Sequence, residues 1–171
     1  MEQTHSVSKN IKIEEDDVEE LDLSCQNLTA LPHLPFGLKE LNCNSNKLAI
    51  LSSPLPSGLK KLYCHRNQLT ALPSLSLGLK AVYCGYNQLT ALPLLPLGLE
   101  ILYCDHNQLT VLPPLPPTLK VLFCNHNQLI VLPHLPSGLK MLDFHANQLK
   151  YKGTTIEEIR KEQEKEIMTS E

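Results

Sequence analysis

The chain repeats itself with a period of about 20 residues, and this period limits its fold more than any other feature of the sequence. One unit, residues 79–98, reads LKAVYCGYNQLTALPLLPLG, and residues 99–118 repeat its main Leu, Cys, Asn and Pro positions. Equivalent cysteines are evenly spaced, except that one additional residue separates Cys43 from Cys64. A fixed period of this length indicates small units that stack, so that each unit buries its apolar face against its neighbours.

Each unit contains one short strand with apolar residues two positions apart, which places both on one face of the strand. We predict seven such strands, centred on residues 21–23, 41–43, 62–64, 82–84, 102–104, 122–124 and 142–144. Most return segments read Leu-Pro-x-Leu-Pro, as at 132–136, and prolines this close together exclude an α-helix. We therefore expect an extended or polyproline-like outer side with glycine at the turn into the next strand. Together these features predict a leucine-rich repeat solenoid of about seven rungs, with a short parallel sheet on its concave face and an extended convex side.

Two polar positions recur on the inward side of the predicted rungs. An Asn follows every strand but the first, where Gln26 stands instead: Asn46, Asn67, Asn87, Asn107, Asn127 and Asn147. An amide side chain offers donors and an acceptor, so each Asn is predicted to satisfy backbone groups at a sharp turn. The other position holds Cys43, Cys64, Cys84, Cys104 and Cys124.

These five cysteines are predicted to be buried free thiols, with Cys25 off the column and exposed. Neighbouring strands lie about 4.8 Å apart, whereas the Cβ atoms of a disulfide lie about 3.8 Å apart with converging side chains. A straight inward column also does not supply the tetrahedron that zinc prefers. We therefore expect no metal and no cofactor.

The chain divides into four predicted parts. Residues 1–10 are predicted to be flexible, 11–20 to form an acidic N-terminal cap, 21–153 to form the repeats and 154–171 to form a C-terminal capping helix. The end of a solenoid exposes its core and needs a polar cover, although a merely solvated acidic run is the alternative for 11–20. Thr155 and Glu158 have the spacing of a capping box at the start of the helix, which we expect to run to about Met168.

Charge and hydropathy exclude several functional classes. The net charge is −3, which disfavours nucleic acid, and no run of apolar residues is long enough to span a membrane. The segment 1–20 lacks the basic start and apolar stretch of a signal peptide. Free thiols favour a reducing compartment, so we expect a cytoplasmic protein.

Residues 21–149 resemble the short repeats of bacterial effectors of the IpaH and YopM type, whose unit reads roughly Leu-x-x-Leu-Pro-x-Leu-Pro-x-x-Leu-x-x-Leu-x-x-x-x-Asn-x-Leu. The resemblance implies an effector-like solenoid and, as an alternative location, delivery into a host cytoplasm. IpaH-type ligases carry a separate catalytic domain with a nucleophilic Cys, whereas the segment that follows the last repeat here, 150–171, is short and contains no Cys. Ligase activity is therefore not implied.

The outward side chains of the strands predict a partner-binding surface on the concave face. One column holds four aromatic residues, Tyr63, Tyr83, Tyr103 and Phe123, and three aliphatic residues lie beside it, Ile101, Val121 and Met141. A third group lies where the strands end and contains Tyr86, His106 and His126. Exposed apolar patches usually mark interfaces, and Tyr is a frequent anchor. The alternative is that the rings only stabilise the sheet by stacking.

We predict a non-catalytic module that binds a protein or peptide on this face as a monomer. One alternative is a structural or self-associating protein that pairs through a convex patch of Leu77, Leu94, Leu97, Pro114 and Pro117, which would make a homodimer. A remote alternative is an enzyme that uses Asp105, His106 and His126. The lysines at 39, 60, 80, 120 and 140 are interpreted as a solvated edge.

Overall fold

The computed structural model describes residues 18–51, 54–150 and 153–169, and it has the predicted solenoid. Seven parallel strands form a single sheet in chain order. They are β1 (Glu20–Asp22), β2 (Glu40–Asn42), β3 (Lys61–Tyr63), β4 (Ala81–Tyr83), β5 (Ile101–Tyr103), β6 (Val121–Phe123) and β7 (Met141–Asp143). A helix, α1 (Ile156–Thr169), follows the last rung. We use rung for one strand together with the return segment that follows it.

Each strand begins and ends one residue earlier than the sequence predicts. The column of cysteines follows the strands, although its backbone still continues the ladder, since the N–H of Cys64 donates to the carbonyl of Tyr83 at 2.9 Å. Two residues beyond each cysteine the backbone turns into the left-handed region, for example at Arg66 with φ of 53°. The sharp turn predicted after each strand is therefore present, and it shortens the regular strand.

The core is a stack of leucines with the cysteine column beside it. Leu62, Leu102 and Leu122 from the strands have no exposed surface, and neither do Cys43, Cys64, Cys84, Cys104 and Cys124. All five of these cysteines are free, and Cys25 is exposed, so both predictions are confirmed. Burial raises the pKa of Cys84 to about 12, which keeps its thiol neutral at any ordinary pH.

The asparagine column bonds consecutive rungs together. Asn87 donates from Nδ2 to the carbonyls of Cys64 in the preceding rung and Cys84 in its own, both at 3.0 Å. Its Oδ1 accepts the N–H of Leu69 at 3.0 Å. The same scheme recurs at the other asparagines of the column, which confirms the predicted role of these amides. The buried turns thus have side-chain partners for their backbone groups.

The return segments contain neither helix nor strand among the described residues. The turn glycines do not adopt left-handed backbone, since no described glycine has a positive φ. A Cβ at Gly78 would lie 2.8 Å from Nζ of Lys60 in the preceding rung, so a larger residue there requires the flexible end of that lysine to move. Thr118 occupies the equivalent turn position of a later rung. In the lysine column, the preceding rung carries Glu100, which forms ion pairs with Lys80 and Lys120.

Helix α1 packs against the return segment of the sixth rung. The capping box is confirmed: the N–H of Glu158 donates to Oγ1 of Thr155 at 3.2 Å, and the N–H of Thr155 donates to the Glu158 carboxylate at 3.1 Å. Ile159 is fully buried, and Nε2 of the buried Gln163 donates to the carbonyl of Pro133 at 2.9 Å. The helix therefore covers one side of the last rungs.

Two of the predicted parts remain untested. The predicted flexible segment 1–10 lies outside the described residues, and so does most of the predicted acidic cap 11–20. In the described part of the chain, no helix combines the length and apolar character needed to cross a bilayer.

Candidate functional site

The strand register aligns the aromatic side chains of the concave face into a column. Tyr63 pairs with Tyr83, Tyr83 with Tyr103 and Tyr103 with Phe123. The same register aligns Ile101 with Val121 and Val121 with Met141 beside them. We call Tyr63, Tyr83, Tyr103 and Phe123 the strand ring column. The predicted concave columns are therefore neighbours in space.

The strand ring column is organised in pairs of rungs. Tyr63 and Tyr83 stack at 4.6 Å with 5° between their planes, and Tyr103 and Phe123 stack at 4.5 Å with 2°. Between the pairs, Tyr83 and Tyr103 meet edge to face at 4.9 Å and 81°. Offset or edge-to-face contacts of this kind contribute about 0.5–1.5 kcal/mol beyond area burial. All four rings remain partly exposed, so part of the surface of each ring stays accessible despite the stacking.

A second column of rings stands where the strands end. Tyr86 stacks on His106 at 4.0 Å, and His106 stacks on His126 at 4.2 Å. We call these three residues the turn ring column. The guanidinium of Arg66 extends it, lying 5.5 Å from the centre of the Tyr86 ring. Planar side chains thus continue over four rungs at this edge.

The turn ring column is built on unfavourable backbone. The φ angles of Tyr86, His106 and His126 are 54°, 50° and 52°. Side chains with a Cβ are disfavoured in this left-handed region by about 1–2 kcal/mol per residue relative to glycine. Glycine does not mark these positions in the sequence, because the equivalent residues of outer rungs, Cys25, Ser45 and Ala146, also have positive φ. Strained positions that carry large side chains often belong to functional surfaces.

The aliphatic part of the predicted surface is less exposed at its centre than at its end. Met141 in the last strand is 51% exposed, Ile101 and Val121 are half-buried, and Ala81 is buried. The apolar surface therefore widens toward the C-terminal rungs.

On the N-terminal side of the face, Lys61 forms an ion pair with Glu40 at 2.6 Å, and this contact raises the pKa of Lys61.

The acidic and histidine residues of the remote enzyme alternative are also brought together. Nδ1 of His106 lies 3.1 Å from Oδ2 of Asp105, and the His126 ring lies on the other side of His106. The Asp105 carboxylate therefore orients the His106 imidazole, while the stacked neighbouring rings cover the faces of that imidazole. Among the described residues, no group of three His, Cys, Asp or Glu side chains is placed to hold a metal ion.

Between the two ring columns lies an open hollow of about 540 Å³, which sequence reasoning did not identify. It is lined by the strand tyrosines Tyr63, Tyr83 and Tyr103, by Tyr86, and by Asn44, His65 and Gly85. Burial, and then the nearby Arg66, lowers the pKa of His65. The available signal was Gly85, which is the single glycine in a sequence column otherwise filled by Ser24, Asn44, His65, Asp105, Asn125 and His145.

The convex patch predicted for self-association is highly exposed. Leu77, Leu94 and Leu97 are 89%, 81% and 78% exposed. Pro114 and Pro117 line a separate apolar groove of about 510 Å³ with Val111 and Val131. Both faces of the solenoid therefore present apolar surface, and in the described part of the chain the stacked ring pairs lie on the concave face.

Comparison with solved structures places the fold among bacterial leucine-rich repeat proteins. YopM from Yersinia enterocolitica superposes with a TM-score of 0.77 at 39% identity, over 81% of this chain and 31% of YopM. A Shigella effector leucine-rich repeat domain gives 0.75 at 36% identity, over 81% of this chain and 63% of that domain. A functional domain of InlJ from Listeria monocytogenes, which includes a cysteine ladder, gives 0.60 at 25% identity, over 85% of this chain and 38% of that one.

No protein-family model and no curated protein matches the chain. The chain spans about a third of the length of YopM and under two thirds of the Shigella domain. The structural matches nevertheless agree with the repeat pattern, and the chain is a leucine-rich repeat protein whose units resemble those of the YopM and Shigella effectors. Solenoids of this kind generally mediate protein–protein interaction.

Proposed function

We propose that the chain is a non-catalytic module that binds a protein or an extended peptide on its concave face. One observation carries this proposal: two continuous columns of planar side chains flank the face, and one of them is held on strained backbone. The fold does not need large rings there, since Ser45 and Ala146 adopt the same backbone in other rungs. Retention of Tyr86, His106 and His126 at such positions is best explained by contacts to a partner.

The anchors of this interface are the strand ring column and the aliphatic residues beside it. Tyr83 and Tyr103 stand at the centre, and Ile101, Val121 and Met141 extend the apolar surface toward the last rung. Seven rungs about 4.8 Å apart make a face only about 30 Å long. Such a face suits a peptide or one edge of a small domain, so a few anchors carry most of the affinity.

The setting that we propose is a reducing cytoplasm. The five buried cysteines are free, which fits that environment. The similar Yersinia and Shigella proteins are described as effectors, so delivery into a host cytoplasm is the version of this setting that the resemblance favours.

Affinity capture with immobilised chain tests the proposal. The variant Tyr83→Ala/Tyr103→Ala should weaken capture of the partner by at least about 2 kcal/mol, because interface tyrosines of this kind are frequent hot spots. The matched control is Leu94→Ser/Leu97→Ser, which alters two exposed residues of the convex face and should leave capture unchanged. Loss of capture in the control variant, with retention in the tyrosine variant, would overturn the proposal.

Self-association through the convex face is the second candidate, because Leu77, Leu94 and Leu97 are exposed by 78% or more. Sedimentation of the wild-type chain over a range of concentrations distinguishes the candidates. The concave-face proposal expects a monomer throughout. A dimer that Leu94→Ser/Leu97→Ser dissociates would support the second candidate.

A further inference from the structure

The hollow between the two ring columns has opposite chemical character at its two ends. Asn42 and Asn44 lie at its end nearest the N-terminus, with Arg66 on the wall beside them. Asp105 lies at the other end, two rungs beyond Arg66. Gly85 lines the hollow in the rung between those of the two charged residues.

The first end offers donors because a backbone contact fixes the orientation of the Asn44 amide. Oδ1 of Asn44 accepts the N–H of His65 at 2.9 Å. A backbone N–H only donates, so this contact identifies the amide oxygen, and the NH₂ group of Asn44 has no acceptor in the described part of the chain. With the exposed guanidinium of Arg66, this NH₂ group forms a site for a negatively charged acceptor.

The neighbouring amide, that of Asn42, is already in use. Its Oδ1 accepts the N–H of Asn44 at 3.2 Å. Hydrogen bonds from Ser24 and, to a smaller degree, from the Asn42 side chain lower the pKa of Asp22 in the first strand. Asn42 therefore shapes this end of the hollow, while Asn44 and Arg66 supply its available donors.

The second end presents a carboxylate whose position depends on Gly85. A Cβ at Gly85 would lie 2.5 Å from Oδ1 of Asp105, so this carboxylate occupies the space that any other residue would fill. Oδ2 of Asp105 lies against Nδ1 of His106, which leaves Oδ1 toward the hollow. The Asp105 side chain is only 17% exposed, so a cation that pairs with it is partly shielded from water.

We propose that the occupant of this hollow is a peptide segment in polyproline II conformation that carries one acidic and one basic side chain three residues apart. The acidic side chain binds Arg66 and the Asn44 amide, and the basic side chain binds Asp105. Two rungs span about 9.6 Å, and three residues of a polyproline II peptide make one turn of about 9.3 Å, which places both side chains on the same face. This inference rests on the proposed function and adds the chemistry of the partner.

The opposite charges at the two ends of the hollow favour a peptide that carries both an acidic and a basic side chain. A wholly basic segment meets repulsion at Arg66, and a wholly acidic one meets repulsion at Asp105. An uncharged apolar segment would partly desolvate both charges without bringing an opposite charge to either, which is unfavourable. Only a segment with both charges, in this spacing, pairs each end of the hollow.

Selection from a phage-displayed library of random linear peptides tests the inference. Three forms of the full chain are used as targets: wild type, Asp105→Asn and Arg66→Glu. Asp105→Asn removes one charge with little change of shape, and Arg66→Glu reverses an exposed charge. Thermal unfolding followed by circular dichroism checks that each target is folded.

We expect a different set of peptide sequences from each of the three targets. Wild type should enrich peptides with an acidic and a basic residue three positions apart. Asp105→Asn should retain the acidic residue and lose the basic preference, and Arg66→Glu should enrich two basic residues instead. This comparison does not depend on the direction in which the peptide lies, because each change removes or reverses the charge at one end alone.

A synthetic peptide from the wild-type selection gives the quantitative check. Asp105→Asn should weaken its binding about fivefold, as expected for a partly exposed ion pair. Gly85→Ala should do the same without altering either charged residue, because the new Cβ displaces the Asp105 carboxylate. The backbone at Gly85 lacks a positive φ, so alanine adds no backbone strain there.

The outcomes separate this inference from the proposed function. Enriched peptides that lack the charge pair, or that bind all three targets alike, would overturn the inference. Concave-face binding would still stand if Tyr83→Ala/Tyr103→Ala abolishes the binding of those peptides. Failure to enrich any peptide on the wild-type target counts against both.

Discussion

The inward and outward columns of the same sheet differ in how strictly they repeat. Inward, the five consecutive cysteines are all fully buried, and the six asparagines of their column make the same contacts from rung to rung. Outward, the register aligns Asn42 with Tyr63 and Phe123 with Asp143, so side-chain chemistry changes along one column. The difference indicates that the fold is specified by the repeating interior, while the varied outer columns are free to specify a partner. Substitutions in the inward columns should therefore change stability, and substitutions in the outward columns should mainly change binding.

The largest expected difference is in thiol reactivity. Cys25 is exposed, whereas the thiols of the other five cysteines are buried and their pKa values are raised by that burial. Alkylation requires a thiolate in contact with reagent, so the buried cysteines react only when the rungs open. Mass spectrometry of the native chain should show Cys25 labelled at least about a hundredfold faster. A disulfide between Cys64 and Cys84 in the folded chain would contradict the packing described above.

The next effect is on the asparagine column. Asn87→Ala should lower the free energy of unfolding by about 3 kcal/mol, because the buried N–H of Leu69 and several carbonyls lose their partner. Urea denaturation measures this change. The control is Gln88→Ala at the neighbouring exposed position, which should change stability by less than about 0.5 kcal/mol. Equal effects at the two positions would mean that the interior column does not hold the rungs together.

A smaller loss is expected at the cysteine column. Cys84→Ser replaces a buried thiol by a hydroxyl of similar size and should destabilise the chain by about 1–3 kcal/mol. Cys25→Ser is the matched control, since it makes the same chemical change at an exposed site. Unfolding curves that coincide for the two variants would be inconsistent with a desolvated cysteine column.

The smallest effect is expected at the turn ring column. Tyr86→Gly loses stacking on His106 but relieves left-handed backbone, so its stability should stay within about 0.5 kcal/mol of wild type. Tyr83→Gly, in strand β4, has no such relief and should cost about 1–2 kcal/mol. A large loss for Tyr86→Gly would show that the turn rings are needed by the fold, which would weaken the case for a partner.

Much of the fold followed from the sequence because a repeat places equivalent residues next to each other. The period alone predicted that Tyr63 and Tyr83 are neighbours, that Cys84 is buried and that Asn87 bonds the turn. The spacing of Thr155 and Glu158 likewise predicted the helix cap, since both partners lie in one turn.

The details of the site did not follow from the sequence, since they depend on contacts between rungs. The alternation of stacked and edge-to-face rings reflects rotamers of Tyr83 and Tyr103 that no pattern records. The space above Gly85 is filled by a side chain from the next rung, Asp105, which the one-dimensional pattern places in a separate unit. The left-handed backbone at Tyr86 was also hidden, because glycine does not mark it.

Side-chain footprinting by hydroxyl radicals, with and without a captured partner or selected peptide, identifies the face of the solenoid that binds. Binding on the concave face should protect Tyr63, Tyr83, Tyr103 and Phe123, while Leu94 and Leu97 on the convex face keep their reactivity. The buried Leu102 should be unreactive in both states and serves as an internal control. Protection of Leu94 and Leu97 with unchanged reactivity of the four rings would contradict the account.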